Sequence, residues 1–206
     1  MSKVFGLFPT PVMKVDGLVN NDMLEQLRNR ALESQKDTNI MAARLSHTRM
    51  INPQDDSAFS QISEIVTPEI VKFGAVLFGE TLQWTVKEMW LNVLDPGGSQ
   101  FMHTHANSFI SGVVYLTRPH PSTNTVFTKN MGASEFIFKH DTDSAELNPF
   151  NSDKWMVPQA DAGDLVMFPS YLLHGVPPNE GEQRITIAFN AVPDHLSSWD
   201  YKIKFA

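Results

Sequence analysis

WLNVLDPGGSQFMHTHANSFISGVVYL, residues 90–116, is the stretch on which the reading of this 206-residue chain turns. After a turn at Pro96-Gly97-Gly98 it carries His103 and His105 one residue apart, then runs into a β-branched apolar segment. In an extended strand the side chains at i and i+2 point the same way, so the two histidines share a face and Thr104 turns to the other. Two imidazoles so placed are the beginning of a chelate. A third stands in GDLVMFPSYLLHGVPPN, residues 163–179, where His174 follows a short apolar strand at 164–168. A metal site then requires a fold that brings back a strand some seventy residues later, as antiparallel barrels and jelly rolls do. His47, His120, His140 and His195 sit in no such frame and read as ordinary surface or loop histidines.

With 42% hydrophobic residues the protein has material for one sizeable core and is short for two, so a single domain over 1–206 is expected. A helical buttress at about 20–80 and a barrel at about 82–192 would make it up. The net charge is −7 and no run of Lys or Arg interrupts it, which argues against a nucleic-acid or acidic-membrane partner and favours a small or neutral substrate. The absence of cysteine removes disulfides and thiolate ligands, leaving imidazole and carboxylate for any metal. The opening MSKVFGLFPTPVMKV has neither a long apolar core nor a spanning-length apolar run, so a soluble, cytoplasmic protein is expected. Homo-oligomerisation is left open.

Residues 3–15 read as a strand pair broken by Pro9 and Pro11, hence an edge. Asn21 would cap a helix to about Gln35 with Leu24, Leu27, Ala31 and Leu32 on its buried stripe. Residues 36–56 are polar and irregular and read as a connection. Ser57 as cap would start a second helix, and Thr67 as cap with Pro68 at the first position a fresh one, so that two short helices or one kinked helix would serve equally. From Leu82 the periodicity shortens, and strands are expected near 84–94, 100–105, 109–117, 124–128, 135–139, 154–157, 164–168, 183–191 and 200–205. Such an order implies a mainly β (α+β) fold, a double-sheet jelly roll or double-stranded β-helix of cupin type with N-terminal helices on one side. The segment 131–153 is either a lid over the site or a plain surface excursion.

In RITIAFN, residues 184–190, Arg184, Thr186, Ala188 and Asn190 share one strand face and Ile185, Ile187 and Phe189 the other. If the aliphatic face packs on the helices, Arg184 points into the barrel, where a guanidinium needs an anion; the alternative is a surface arginine at a frayed strand start.

These residues carry a resemblance. His103 and His174 with Arg184 resemble the pattern of Fe(II)- and 2-oxoglutarate-dependent oxygenases, an H-x-D/E pair with a distal His and an Arg-x-Ser/Thr strand. HTHANSFISGVVYL and FPSYLLH are similar to the blocks of one group within that superfamily known mainly from bacteria and phages. The likeness is strong over 90–192 and weaker over LFPTPV and the helices. It implies an oxidoreductase, a dioxygenase or hydroxylase using O2, with Fe(II) on His103, His105 and His174, and 2-oxoglutarate giving succinate and CO2. Arg184, helped by Thr186 and Tyr115, would take the far carboxylate, and Asn92 would also face the cavity; a core tyrosine is the plain reading of Tyr115. His105 departs from the wider pattern, because it stands where that pattern has Asp or Glu and adds one unit of positive charge to the site. No further catalytic residue is implied, and the primary substrate, a small molecule or a side chain, is not specified.

Two other readings remain at this point. Gly97-x5-His103-x-His105 and Gly163-x5-Pro169 with His174 also resemble the two cupin motifs, although the cupin glutamate is missing after the histidine pair. A non-catalytic binding module would explain the lost carboxylate but leaves three histidines and an inward arginine as coincidence.

Overall fold

The computed structural model describes residues 2–34, 36–39, 42–129, 142–144, 146, 148–149 and 151–205. Strand β1 (Met13–Val15) follows the two prolines and lies at a sheet edge, pairing with a single later strand. Helix α1 (Asn21–Glu33) begins one residue earlier than Asn21 as cap implies: Asn20 is the N-cap, its side chain accepting from the Met23 N–H. Leu24, Leu27 and Ala31 are buried, but Leu32 is 60% exposed, because the stripe that meets the sheet is narrower than the apolar sequence.

The segment read as a connection holds two strands, β2 (Asp37–Thr38) and β3 (Ala42–His47), and a 3-10 turn at Pro53–Asp55. Arg44 has φ +48° and the pairing slips between Ala43 and Leu45, so a β-bulge breaks the two-residue alternation that would have announced β3. Helix α2 (Ser57–Phe78) is continuous through Pro68 and is capped by Asp56, whose carboxylate accepts from the N–H groups of Ala58 and Phe59. Thr67 is not a cap: its hydroxyl donates to the Ser63 carbonyl, inside the turn that Pro68 leaves without its own N–H.

The barrel is made by β4 (Trp84–His103), β5 (Ile110–Tyr115), β6 (Val126–Thr128), β7 (Lys154–Met156), β8 (Leu165–Pro169), β9 (His174–Val176) and β10 (Arg184–Pro193). A separate hairpin, β11 (His195–Ser198) and β12 (Tyr201–Lys204), ends the described residues. The strand expected at 135–139 and most of the expected lid at 131–153 lie outside the described residues. The order β1-β8-β5-β10-β4-β9-β6-β7 is antiparallel throughout, with β3 and β2 added beside β4. The runs expected at 84–94 and 100–105 are one strand, β4, whose first half pairs with β10 and whose end pairs with β9 across the turn at Pro96-Gly97-Gly98. One strand thus serves both walls, and the sheet curls into the double-stranded β-helix.

The period of two sorts β10 as its sequence implies. Ile185, Ile187 and Phe189 join Leu91, Val114 and Met167 in a core shared with Leu27, Phe59, Ile62 and Phe73 of the helices. Arg184, Thr186 and Ala188 face the barrel interior. The close packing of the helix side is visible at Gly112, where a Cβ would stand 2.2 Å from the Phe189 ring. The helices therefore close one face of the sheet and leave the opposite face to line a cavity.

Candidate metal and co-substrate site

His103 at the end of β4 lies directly opposite His174 at the start of β9, and His105 follows two residues on with its N–H donating to the Ser170 carbonyl at 2.9 Å. The expectation that His174 would merely follow an apolar strand is sharpened, since it opens a strand of its own. Each histidine presents one ring nitrogen within 4.8 Å of the other two. His105 Nε2 is 3.2 Å from His174 Nε2, close to the roughly 3 Å expected of two imidazoles at right angles on one ion with bonds of about 2.1 Å.

The hydrogen bonds assign the tautomers. His174 Nδ1–H donates to the Leu172 carbonyl at 2.8 Å and His103 Nδ1–H to the Phe101 carbonyl at 2.9 Å, so both Nε2 atoms keep a lone pair toward the centre. Burial, and next the neighbouring His103, lower the pKa of His105 to about 4 and that of His174 to about 3. At neutral pH both are uncharged imidazoles ready to bind a cation. Phe168 and Trp90 wall the cluster, with ring centres 4.5 Å from His174 and 5.6 Å from His105.

The histidines line a cavity that also takes in Arg184, Thr186 and Asn92. Arg184 is 4% exposed and is not a frayed surface residue. Its Nε has no hydrogen-bond partner, its Nη1 reaches Thr186 Oγ1 at a long 3.5 Å, and its guanidinium lies 5.0 Å from the centre of the Tyr115 ring. Asn92 Oδ1 is likewise buried without a partner. A buried guanidinium with an open Nε donor is costly, and the group that would offset it is an anion entering this cavity. Tyr115 is fully buried, and its hydroxyl bonds Thr125, itself on the cavity wall, at 2.9 Å. It is thus a core tyrosine with one ring face against the arginine.

The remaining histidines satisfy themselves locally. His47 Nδ1 bonds the Thr48 carbonyl, His120 bonds Ser122 and His195 bonds Asp194, while His140 lies outside the described residues. Sequence reasoning passed over Gln100, whose amide approaches His103 Nε2 at 3.4 Å, and the polar row Glu88, Asn190, Ser111 and Ser170 beside the cavity. Alternation along β4 was the available signal for Glu88 and Trp90, since both keep step with Asn92.

Comparison with known proteins agrees with this architecture. HygX from Streptomyces hygroscopicus, with nickel and 2-oxoglutarate bound, superposes with TM-score 0.63 at 13% identity over 89% of this protein and 83% of its own length. The α-ketoglutarate-dependent epimerase SnoN from nogalamycin biosynthesis gives 0.65 at 12% identity, covering 90% and 77%. A Pseudomonas putida prolyl-4-hydroxylase gives 0.60 at 16%, covering 88% and 92%. At such identities the likeness is one of fold. No curated protein matches the sequence. Residues 88–190, half of the sequence, match the family described as "Putative 2OG-Fe(II) oxygenase", and the chain belongs to that family of 2-oxoglutarate- and Fe(II)-dependent oxygenases.

Proposed function

We propose that this single-domain protein holds Fe(II) on His103, His105 and His174, binds 2-oxoglutarate between the iron and Arg184, and hydroxylates a C–H bond of a small molecule or of an amino-acid residue. The observation that carries the reading is the pairing, in one cavity, of three converging imidazoles with a buried arginine whose Nε is unpartnered. The chemistry supplied there when both groups are bound is oxidative decarboxylation of 2-oxoglutarate to succinate and CO2, coupled through O2 to oxidation of the substrate.

The protein's own part is positional. The Phe101 and Leu172 carbonyls fix the His103 and His174 rings through Nδ1 and leave Nε2 free. Arg184 offers a planar fork to a carboxylate at the far end, with Thr186 and Asn92 beside it and Tyr115 beneath. Phe168 and Trp90 restrict water around the imidazoles. The set fits a ternary site of cation and dicarboxylate, because the excess positive charge of an all-histidine centre and of Arg184 is met by the two carboxylates of one molecule.

Support from relatives is of two kinds. HygX is described with nickel and 2-oxoglutarate bound, and the P. putida neighbour is a prolyl-4-hydroxylase, whereas SnoN is an epimerase. The shared fold thus supports the co-substrate and leaves the primary substrate to this protein's own cavity mouth. Anaerobic titration with Fe(II) and then 2-oxoglutarate should give a visible charge-transfer band, and admission of O2 should release succinate. Failure of 2-oxoglutarate to bind the Fe(II)-loaded protein would overturn the proposal.

A further inference from the structure

By its place in β4, Gln100 would face away from the metal cavity. It stands three residues before His103, an odd interval that puts two side chains on opposite faces of a regular strand. The pairing with β9 slips between them: Gln100 lies opposite Val176, while His103 lies opposite His174, two positions back instead of three. The surplus residue is a bulge, and it turns Gln100 and His103 into the same cavity. The main chain of Gln100 is held between Ala42 and Val176, whereas its half-buried side chain stands between this cavity and a second, open hollow lined by Met102, Val126 and Met156. The backbone is fixed and the amide has room to turn.

Among the described residues that amide has one hydrogen-bond partner, His103, with Nε2 to Nε2 at 3.4 Å. Because His103 Nδ1–H is committed to the Phe101 carbonyl, the ring Nε2 is the acceptor and the amide the donor. The same lone pair is the one a metal ion needs, so cation and amide compete for it, and an arriving ion releases the N–H. Its next partner follows from its position. Strand β4 passes Leu94, which lies opposite Arg184, rounds the turn at Pro96-Gly97-Gly98 and returns through Gln100 to His103. Gln100 therefore stands beside the stretch of cavity between Arg184 and the imidazoles, the stretch that 2-oxoglutarate would span. That molecule brings oxygen acceptors and no donor. Arg184, Thr186 and Asn92 meet its far end, and Gln100 has a donor to offer the near one.

Resting on the iron and co-substrate site proposed above, we infer that Gln100 binds 2-oxoglutarate: its amide occupies the His103 lone pair in the metal-free protein and, once metal takes that nitrogen, donates to the carboxylate at the metal end. Metal binding thus frees the donor that the co-substrate uses, which favours iron first and 2-oxoglutarate second.

The test is anaerobic titration of the full chain with Fe(II) and then with 2-oxoglutarate, followed by the charge-transfer band, on the unmodified protein and on Gln100→Ala and Gln100→Glu. Gln100→Ala should bind Fe(II) at least as tightly as the unmodified protein, because the competitor for His103 is gone. It should bind 2-oxoglutarate roughly tenfold to a hundredfold more weakly, the contribution of a hydrogen bond to a charged group. Gln100→Glu keeps the shape, removes the donor and adds an anion, so it should tighten Fe(II) binding and weaken 2-oxoglutarate binding at least as much. Two affinities moving apart are what a merely structural role does not produce, and intact Fe(II) binding shows that the histidines are in place. In Gln100→Ala, 2-oxoglutarate affinity within about twofold of the unmodified protein would overturn the inference, as would Fe(II) binding weakened more than about threefold, the mark of a direct ligand or of a prop for the histidines. The unmodified titration separates the failures: no 2-oxoglutarate binding there overturns the proposed function itself, whereas normal binding unmoved by Gln100→Ala overturns only the role of Gln100.

Discussion

Replacing Arg184 should make the ligand-free protein more stable and the enzyme useless, and the two effects have one cause. Arg184 is 4% exposed, its Nε has no partner, and its two visible compensations are a 3.5 Å contact to Thr186 and the face of Tyr115. A ring face returns about 0.5–2 kcal/mol, less than the several kcal/mol of desolvation a buried ion suffers. Arg184→Met keeps most of the volume and discards the charge, so the ligand-free protein should gain at least about 1 kcal/mol, or roughly 2–4 °C in Tm for a protein of this size.

Binding should move the other way. If the guanidinium forks onto the far carboxylate of 2-oxoglutarate, truncation removes a charge-assisted contact of about 2–5 kcal/mol, a weakening of roughly thirtyfold to several thousandfold. Thermal shift with and without 2-oxoglutarate, on protein loaded with a redox-inert divalent metal, reads both quantities in one experiment. Arg184→Met should melt higher without 2-oxoglutarate, keep its metal, and show little of the 2-oxoglutarate-induced shift. Arg184→Lys should recover part of that shift, because an ammonium supplies charge without the planar fork. The reasoning is refuted if Arg184→Met melts lower and still responds fully to 2-oxoglutarate, since the buried arginine would then be a structural group.

Four further outcomes are expected. The triple alanine variant at His103, His105 and His174 should lose stoichiometric Fe(II), and full retention under matched conditions would place the metal elsewhere. His105 and His174 have folded pKa values of about 4 and 3, below their unfolded value of about 6.5, so their contribution to stability is complete above that unfolded value and is lost as pH falls toward the folded ones. Chemical denaturation of the metal-free protein should show a slope of up to about 2.7 kcal/mol per pH unit between pH 6 and 4, and a flat profile would contradict the burial of the pair. By the same token these two ligands release no protons on binding metal between pH 7 and 5, so log affinity should rise with pH by at most one proton's worth there, and a slope near three would refute the neutral pair. Gly112→Ala should cost about 1–3 kcal/mol, because its Cβ would fall 2.2 Å from the Phe189 ring in a core with no room to retreat, and an unchanged Tm would show that the ring moves.

What the sequence disclosed and what it hid divide along a physical line. Where a strand alternates without interruption, the alternation carries the site: in 184–190 it separates Arg184 and Thr186 from the Ile185, Ile187 and Phe189 that meet the helices. His103 and His105 are legible from their spacing, although β4 ends at His103 after a slip in its pairing and His105 lies just beyond it. Strand β3 was hidden because Arg44 at φ +48° shifts its register, so the apolar period is broken at the residue that lets the strand follow β4. Helix α2 looked divided because Pro68 is a stop signal, yet the Thr67 hydroxyl on the Ser63 carbonyl and the buried stripe through Phe59, Val66 and Phe73 carry the helix across it.

Glu88 is the more instructive omission, because alternation along β4 puts it in step with Trp90 and Asn92 but says nothing of its partner. It differs from any other charged residue on a strand only through Asn190, which is 102 positions away in sequence and opposite it in register. Asn190 in turn counts only because Ser111 and Ser170, from beyond its own strand, hold its oxygen in place. Candidate ligands such as His103 and His105 repeat at short spacing because a strand's end and the residues just past it can present two rings to one centre. The polar partners that fix side chains beside the cavity come from neighbours across the sheet, and their address is the strand register, which becomes readable once the barrel is closed.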